Sequence, residues 1–118
     1  MVDTDVILTT VKKMLSIDSD VTEFDTDVLS DINSAFFSLY QLGIGPSTPF
    51  QIDSTTTWAN LSTSIPKDVI ANYLYLKVRL VFDPPTVSSV IDAYKSRIEE
   101  LEFRMNVEVD NGGGVVNG

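Results

Sequence analysis

Apolar residues recur at helical spacing near the start of the chain, at Val6, Ile7, Val11, Met14 and Leu15. This spacing predicts a helix over residues 4–15, which Asp3 or Thr4 can cap. A broader apolar face follows an acidic link, and it consists of Val28, Leu29, Ile32, Ala35, Phe36, Leu39 and Tyr40. It predicts a second helix, which begins at a cap formed by Thr22 or Asp25 and stops at the next glycine.

A third helix is predicted between Pro66, which suits a first helical turn, and the Asp83-Pro84-Pro85 break. It is apolar nearly all round, apart from one narrow polar stripe formed by Asp68, Asn72, the Tyr75 hydroxyl, Arg79 and Asp83. Such a helix must be surrounded by protein. Either the other helices of the chain wrap around it, or neighbouring subunits cover part of it.

The fourth predicted helix starts from a Thr86 cap and carries a narrow apolar seam that suits packing along one partner. The seam consists of Val87, Ile91, Tyr94, Ile98, Leu101 and Met105. After it, residues 106–110 alternate in strand fashion before the chain becomes rich in glycine. Val107 and Val109 lie in this segment, which is either an untidy terminus or a strand that orders against a partner.

Between the second and third helices, residues 43–64 are rich in glycine, proline, serine and threonine, which indicates a long ordered loop. Residues 50–52 alternate and could form a short strand. Trp58 is expected to pin the loop to the body of the protein. A loop of this length either packs back on the core or serves a function.

These patterns predict an all-α, four-helix domain over residues 1–109, followed by a flexible glycine-rich tail over residues 110–118. The 118 residues suffice for one modest core, and no apolar run is long enough to span a bilayer. The acidic N-terminus lacks the basic and apolar regions of a secretion signal, so we expect the protein to stay where it is made.

Composition limits the chemistry that the chain can perform. With no His and no Cys, Ser-His-Asp and Cys-His mechanisms are impossible, and we expect no enzyme activity, no cofactor and no metal site. The acidic residues between the first two helices superficially suggest a calcium loop, but the spacing of glycine and glutamate is wrong, so helix capping explains them better. The net charge of −9 disfavours binding to nucleic acid or anionic lipid, and its simplest role is solubility.

Lys77 is the one charge in an unexpected place, because it projects from the apolar side of the third helix beside Tyr73. Its ammonium must reach the surface, pair with an acid from another helix, or lie at a subunit boundary. Arg79 lies one turn before Asp83 and can tie the end of the helix to the proline break. The candidate interaction residues are therefore Trp58, Tyr73, Lys77, Arg79, Asp83, Val107 and Val109.

Four segments carry a resemblance to a known family: DVILTTVKKML (residues 5–15), DINSAF (31–36), LYQLGIGP (39–46) and above all YLKVRLVFDPP (75–85). From about residue 6 to residue 105 the chain resembles phage head-tail connector proteins. These are small helical adaptors of long-tailed bacteriophages and related prophages.

The resemblance implies a virion protein, made in the bacterial cytoplasm, that forms a ring beneath the portal and extends the DNA channel toward the tail. It implies a cyclic ring, dodecameric in the virion, that contacts the portal and a tail-side neck or stopper protein and meets DNA only in transit. The principal alternative is a small helical DNA-binding or regulatory protein, although no predicted helix carries a row of basic residues. An enzyme that uses carboxylates and a divalent metal is a third hypothesis.

Overall fold

The computed structural model describes residues 4–44, 50–61, 63 and 65–112, and these form a bundle of four helices. The helices are α1 (Ile7–Met14), α2 (Asp25–Gln41), α3 (Lys67–Phe82) and α4 (Ser88–Gly112), and a 3-10 turn spans Trp58–Asn60. The described residues contain an isolated bridge but no strand. The predicted all-α class, the four helices and the long connection between the second and third are therefore confirmed.

Helix α3 is the centre of the bundle and packs against all three other helices. Its buried residues lie on several sides of the helix, and they are Ile70, Ala71, Tyr73, Leu74, Leu76 and Val78. The prediction of a helix surrounded by protein is confirmed, and for most of its length the surrounding helices belong to the same chain. The exception is the C-terminal end, where Val81 is 69% exposed.

Helix α1 begins later than predicted, with Val6 rather than Asp3 or Thr4 as its N-cap. Val6 forms an antiparallel bridge with Thr57, and the Ile7 N–H donates to the Thr56 carbonyl over 3.0 Å. The backbone before Ile7 is thus held extended by the long loop. Because this pairing is non-local, the local capping signal did not reveal it.

Both ends of α2 have a clear physical cause. The N-cap of α2 is Phe24, and no side chain caps the helix. The predicted caps Thr22 and Asp25 are therefore wrong. The Asp25 carboxylate forms an ion pair with Lys12 of α1 instead. At the other end Gly43 adopts a φ of 79°. The N–H groups of Gly43 and Ile44 donate to the Tyr40 and Leu39 carbonyls, which confirms the predicted glycine stop.

The long loop is anchored at Ile52 by a side chain rather than by a strand. The Ile52 N–H donates to the Asn33 side-chain oxygen over 2.8 Å, and the Asn33 amide donates to the Ile52 carbonyl over 3.2 Å. Asn33 therefore supplies both bonds that a neighbouring strand would make, and the short strand predicted at residues 50–52 does not form. Ile52 is buried as a result.

Helix α4 starts and ends differently from the prediction. The Val87 carbonyl accepts bonds from the N–H groups of Val90 and Ile91, so Val87 occupies the cap position predicted for Thr86. Val87 is also 56% exposed and thus outside the predicted seam, whose deepest residues are Ile98, Leu101 and Met105.

The segment at residues 106–110 is helical, and the strand predicted there is wrong. Extending an existing helix by one residue forms a backbone hydrogen bond at little cost, whereas a strand needs an edge to pair with, and the described chain offers none. The helix reaches Gly112, so the first three residues of the predicted tail belong to α4. Residues 113–118 lie outside the described part.

Candidate interaction surfaces

Trp58 anchors the long loop to α1, as predicted. Its side chain is buried, and its indole N–H donates to the Thr10 hydroxyl over 2.9 Å. Its backbone N–H donates to the Asp5 carbonyl, and the Lys67 ammonium lies 5.4 Å from the ring centroid. These contacts fix the loop within one chain, so Trp58 offers little free surface to a partner.

Tyr73 joins α3 to α4 through a buried polar contact. Its hydroxyl donates to a Glu102 carboxylate oxygen 2.8 Å away. Burial, reinforced by the hydrogen bond and charge of Glu102, raises the pKa of Tyr73 well above its usual range. The Lys77 ammonium lies 5.8 Å from the centroid of the same ring. Lys77 is half-buried and makes no ion pair with any carboxylate in the described residues, so the structure gives no support to the second of its three alternatives. A route to the surface and a place at a subunit boundary stay predictions.

Arg79 ties the end of α3 to the proline break, as predicted. Its Nε donates to the Asp83 carbonyl over 2.5 Å, and one Nη donates to the Tyr75 hydroxyl over 3.1 Å. The hydrogen bond with Tyr75 raises the pKa of Arg79. The carboxylate of Asp83 lies 3.7 Å from Nε, and it is largely exposed. This arrangement stabilises the turn between α3 and α4.

Val107 lies on the rim of a groove of about 480 Å³ between the start of α3 and the C-terminal half of α4. The apolar lining of this groove consists of Ile65, Pro66, Val69, Leu101, Phe103, Met105 and Val107. Phe103 is 69% exposed and also borders a second cleft, which reaches Leu42 beyond the end of α2. We call this surface the groove. Val109 lies in the helical segment that follows.

A second exposed apolar cluster lies at the turn between α3 and α4, and we call it the corner. It consists of Val81, Val87 and Phe24, whose ring packs edge-on against Phe82 at 5.4 Å between centroids. Exposed acidic residues lie at the same end of the bundle, namely Asp18, Asp20, Glu23 and Asp27. Partial burial and the neighbouring charge of Asp27 raise the pKa of Asp31.

Other kinds of site are scarce in the described part of the chain. No group of three or more acidic residues there is arranged to hold a metal ion. A search of the described helices found none with the length and apolar character required to cross a membrane. The remaining features are the groove, the corner, the exposed side chains of Phe37, Tyr40 and Leu42 near the end of α2, and the excess of negative charge.

A comparison with protein families decides the identity. The family model described as phage connector protein matches residues 7–112, which are the residues from the start of α1 to the end of α4. The chain belongs to the phage connector protein family. Searches of curated proteins and of solved structures gave no match.

Membership of the phage connector family confirms the resemblance found in the sequence and gives the chain a head-tail connector role. Connectors of this family are structural components of the virion and associate with other virion proteins. The surfaces of this connector suit that role, because they offer apolar area and charge rather than a pocket with reactive groups.

Sequence reasoning missed three prominent residues of this connector. Phe103 lies outside the predicted seam of the fourth helix and Val81 lies on the nearly all-apolar third helix, and the packing shows that neighbours in the described part of the chain leave both side chains uncovered. Lys12 is buried, although a lysine near the end of a helix is usually solvated. The acidic link that follows α1 was the available signal for Lys12, since a buried ammonium needs nearby oxygen atoms.

Proposed function

We propose that this connector forms a cyclic ring beneath the portal and extends the DNA channel toward the tail. The observation that carries the proposal is the family match, which covers the whole of the four-helix bundle. The portal on one side and a tail-side neck or stopper protein on the other are the partners that follow from this position. A dodecameric ring would match the connector to a portal of the same symmetry.

The distribution of apolar surface supports assembly into a ring. A subunit of a closed ring needs two different surfaces, because each copy contacts its two neighbours head to tail. This connector exposes Phe103 and Val107 at one end, and Val81 and Val87 at the other. Contiguous exposed apolar patches commonly mark protein–protein contacts.

The charge of the connector suits a channel through which DNA slides. A net charge of −9 repels the phosphate backbone, so a ring of such subunits would present little adhesive surface to DNA in transit. The DNA-binding alternative lacks a matching observation. Helix α2 has no basic residue, and the basic residues of α3 are Lys67, Lys77 and Arg79, each of which contacts another side chain of the connector.

The long loop between α2 and α3 and the residues beyond Gly112 are candidate contacts with the portal and the tail. Described parts of the loop are held at Ile52 and Trp58, and between these anchors Ser54 and Thr55 are exposed. A loop fixed at both sides presents its tip in a defined place, as a docking element requires.

Binding to the portal provides the test. Purified connector is mixed with preassembled portal rings from the same phage, and the complex is sized by light scattering and viewed by electron microscopy. We expect an added ring, coaxial with the portal, and no binding to unassembled portal subunits. A folded connector that fails to bind portal rings, and that is missing from the neck of purified virions, would contradict the proposal.

A further inference from the structure

The groove and the corner lie at opposite ends of the bundle. Residues before and at the start of α3 line the groove, while Val81 lies in its last turn. The 16 residues of α3 correspond to about 24 Å of helix. The two surfaces are therefore too far apart to touch each other within one molecule.

The two surfaces differ in form, because one is a groove and the other is a turn between two helices. The groove is a concave, mainly apolar cleft with the Phe103 ring standing at its edge. The corner is a turn whose projecting side chains, Val81 and Val87, flank the rigid Pro84-Pro85 pair. Because prolines hold the turn in one shape, the projecting side chains need little ordering when they dock.

The side chains that line the groove carry more positive than negative charge, whereas those at the corner end are mostly acidic. Arg97 and Arg104 line the groove together with a single acidic residue, Asp68. Arg97 and Arg104 both pair with Glu100, whose pKa is lowered chiefly by the hydrogen bond from Arg97, and the Arg104 side chain stays 63% exposed. At the corner end acidic side chains outnumber basic ones. The exposed acidic residues there are Asp18, Asp20, Glu23 and Asp27, and the exposed lysine is Lys13.

We propose that the groove of one copy receives the corner of the next, and that this contact joins neighbouring subunits of the ring. The inference rests on the proposed ring function and specifies its subunit interface. The occupant is a second copy because this chain itself carries a matching apolar and acidic surface. A contact between two different surfaces repeats from copy to copy, so it can close a ring, whereas a contact between identical surfaces stops at a dimer.

Cysteine pairs test the contact directly, because the chain has no cysteine of its own. Two double variants, Val81→Cys with Phe103→Cys and Val87→Cys with Phe103→Cys, are oxidised both in solution and on portal rings. Within one molecule the paired positions are too far apart for a disulfide, which needs Cα atoms within about 7 Å. We expect a ladder of linked multimers from at least one double variant and no efficient cross-linking of any single variant.

A mixing experiment tests whether the two surfaces differ. Phe103→Glu damages only the groove and Val81→Glu only the corner, and both positions are exposed enough for the variants to fold, which circular dichroism verifies. Alone, each variant should self-associate at least about tenfold more weakly than the unaltered protein, as expected for loss of an apolar anchor. An equal mixture should form dimers and no rings, because one intact groove and one intact corner remain.

Three results would overturn the inference. The first is that neither double variant gives a ladder on oxidation while the unaltered connector still binds portal rings. The second is that Phe103→Cys alone gives efficient dimers. The third is that either glutamate variant forms normal rings. In each case the connector can retain its place beneath the portal with a different subunit contact. If the unaltered protein also fails to bind portal rings, the proposed function fails as well.

Discussion

Lys12 shows how a single residue fixes the connection between two helices. It is the one charged side chain among the buried residues described, and its ammonium donates to the Val21 carbonyl over 2.6 Å and to the Ser19 carbonyl over 3.3 Å. An Asp25 oxygen lies 2.8 Å away, but the angle is poor for a hydrogen bond, so we regard this contact as an ion pair. Lys12 thus joins α1, the acidic link and α2.

Replacing Lys12 with methionine should lower the free energy of unfolding by about 2–4 kcal/mol. The substitution keeps most of the volume but leaves two backbone carbonyls and a partly buried carboxylate without a partner. Urea denaturation followed by Trp58 fluorescence measures the change. Lys13→Met is the matched control, because Lys13 is exposed and should change stability by less than about 0.5 kcal/mol. Equal effects of the two substitutions would refute the role of Lys12.

Tyr73 should make the stability of the connector sensitive to alkaline pH. Its pKa is raised in the folded state, mainly by burial and then by Glu102, so the folded protein retains the phenolic proton at a pH where the unfolded chain loses it. The stabilisation is complete below the unfolded pKa of about 10 and is lost as the pH rises above it.

The Tyr73→Phe variant tests this effect. At pH 7 we expect it to be less stable by about 1–2 kcal/mol, because it lacks the hydrogen bond to the Glu102 carboxylate. Above pH 10 the difference should shrink, since phenylalanine has no proton to lose. Thermal melts between pH 7 and pH 11 measure both values, with Tyr40→Phe at an exposed position as the control. A constant difference across this pH range would be inconsistent with the buried hydroxyl.

At the scale of elements, the sequence predicted what local chemistry decides. The glycine stop after α2 and the proline break after α3 are local features, and both are confirmed. The periodic apolar faces are confirmed for most of their residues, although Met14, Tyr40 and Val87 are exposed. The first residues of α1 and the strand expected at residues 50–52 depend on partners far along the chain, Thr57 and Asn33 respectively. A local pattern carries no information about such partners, which is why these predictions failed.

The same reasoning applies to the candidate residues. Arg79 and Asp83 are one turn apart, and their contact could be predicted from spacing alone. The groove was out of reach, because it depends on how the end of α4 lies against the start of α3. Val107 was selected as part of a strand, and it lies at the groove as part of a helix.

The turn between α3 and α4 should depend on the Arg79 side chain. In Arg79→Ala the hydrogen bonds to the Asp83 carbonyl and to the Tyr75 hydroxyl are lost. Because the guanidinium is partly exposed, we expect a loss of only about 0.5–1.5 kcal/mol in urea denaturation. Arg79→Lys should recover little of it, since an ammonium lacks the planar fork. Lys95→Ala, at an exposed site of α4, is the control and should be nearly neutral.

At the scale of the whole molecule, the bundle satisfies its core but leaves both ends uncovered. The central helix is enclosed by the same chain except at its C-terminal end, so most of the apolar surface available to partners does not lie along the side of that helix, where the sequence placed it. Much of this surface lies at the groove and the corner. Phe103 is the most exposed large apolar residue of the groove, and Val81 is that of the corner. We expect a connector built in this way to fold before it assembles, so that both ends are available to other virion proteins.

The acidic surface makes a prediction about DNA that separates a connector from a DNA-binding regulator. At about 0.15 M salt the purified protein should not retard duplex DNA of any sequence, because a net charge of −9 repels phosphate and no counterions are released on contact. Gel mobility shifts at increasing protein concentration measure this. Reversing charge at the acidic end, with Asp20→Lys, Glu23→Lys and Asp27→Lys together, should give weak retardation that salt abolishes. Sequence-specific retardation by the unaltered protein would instead favour the regulator.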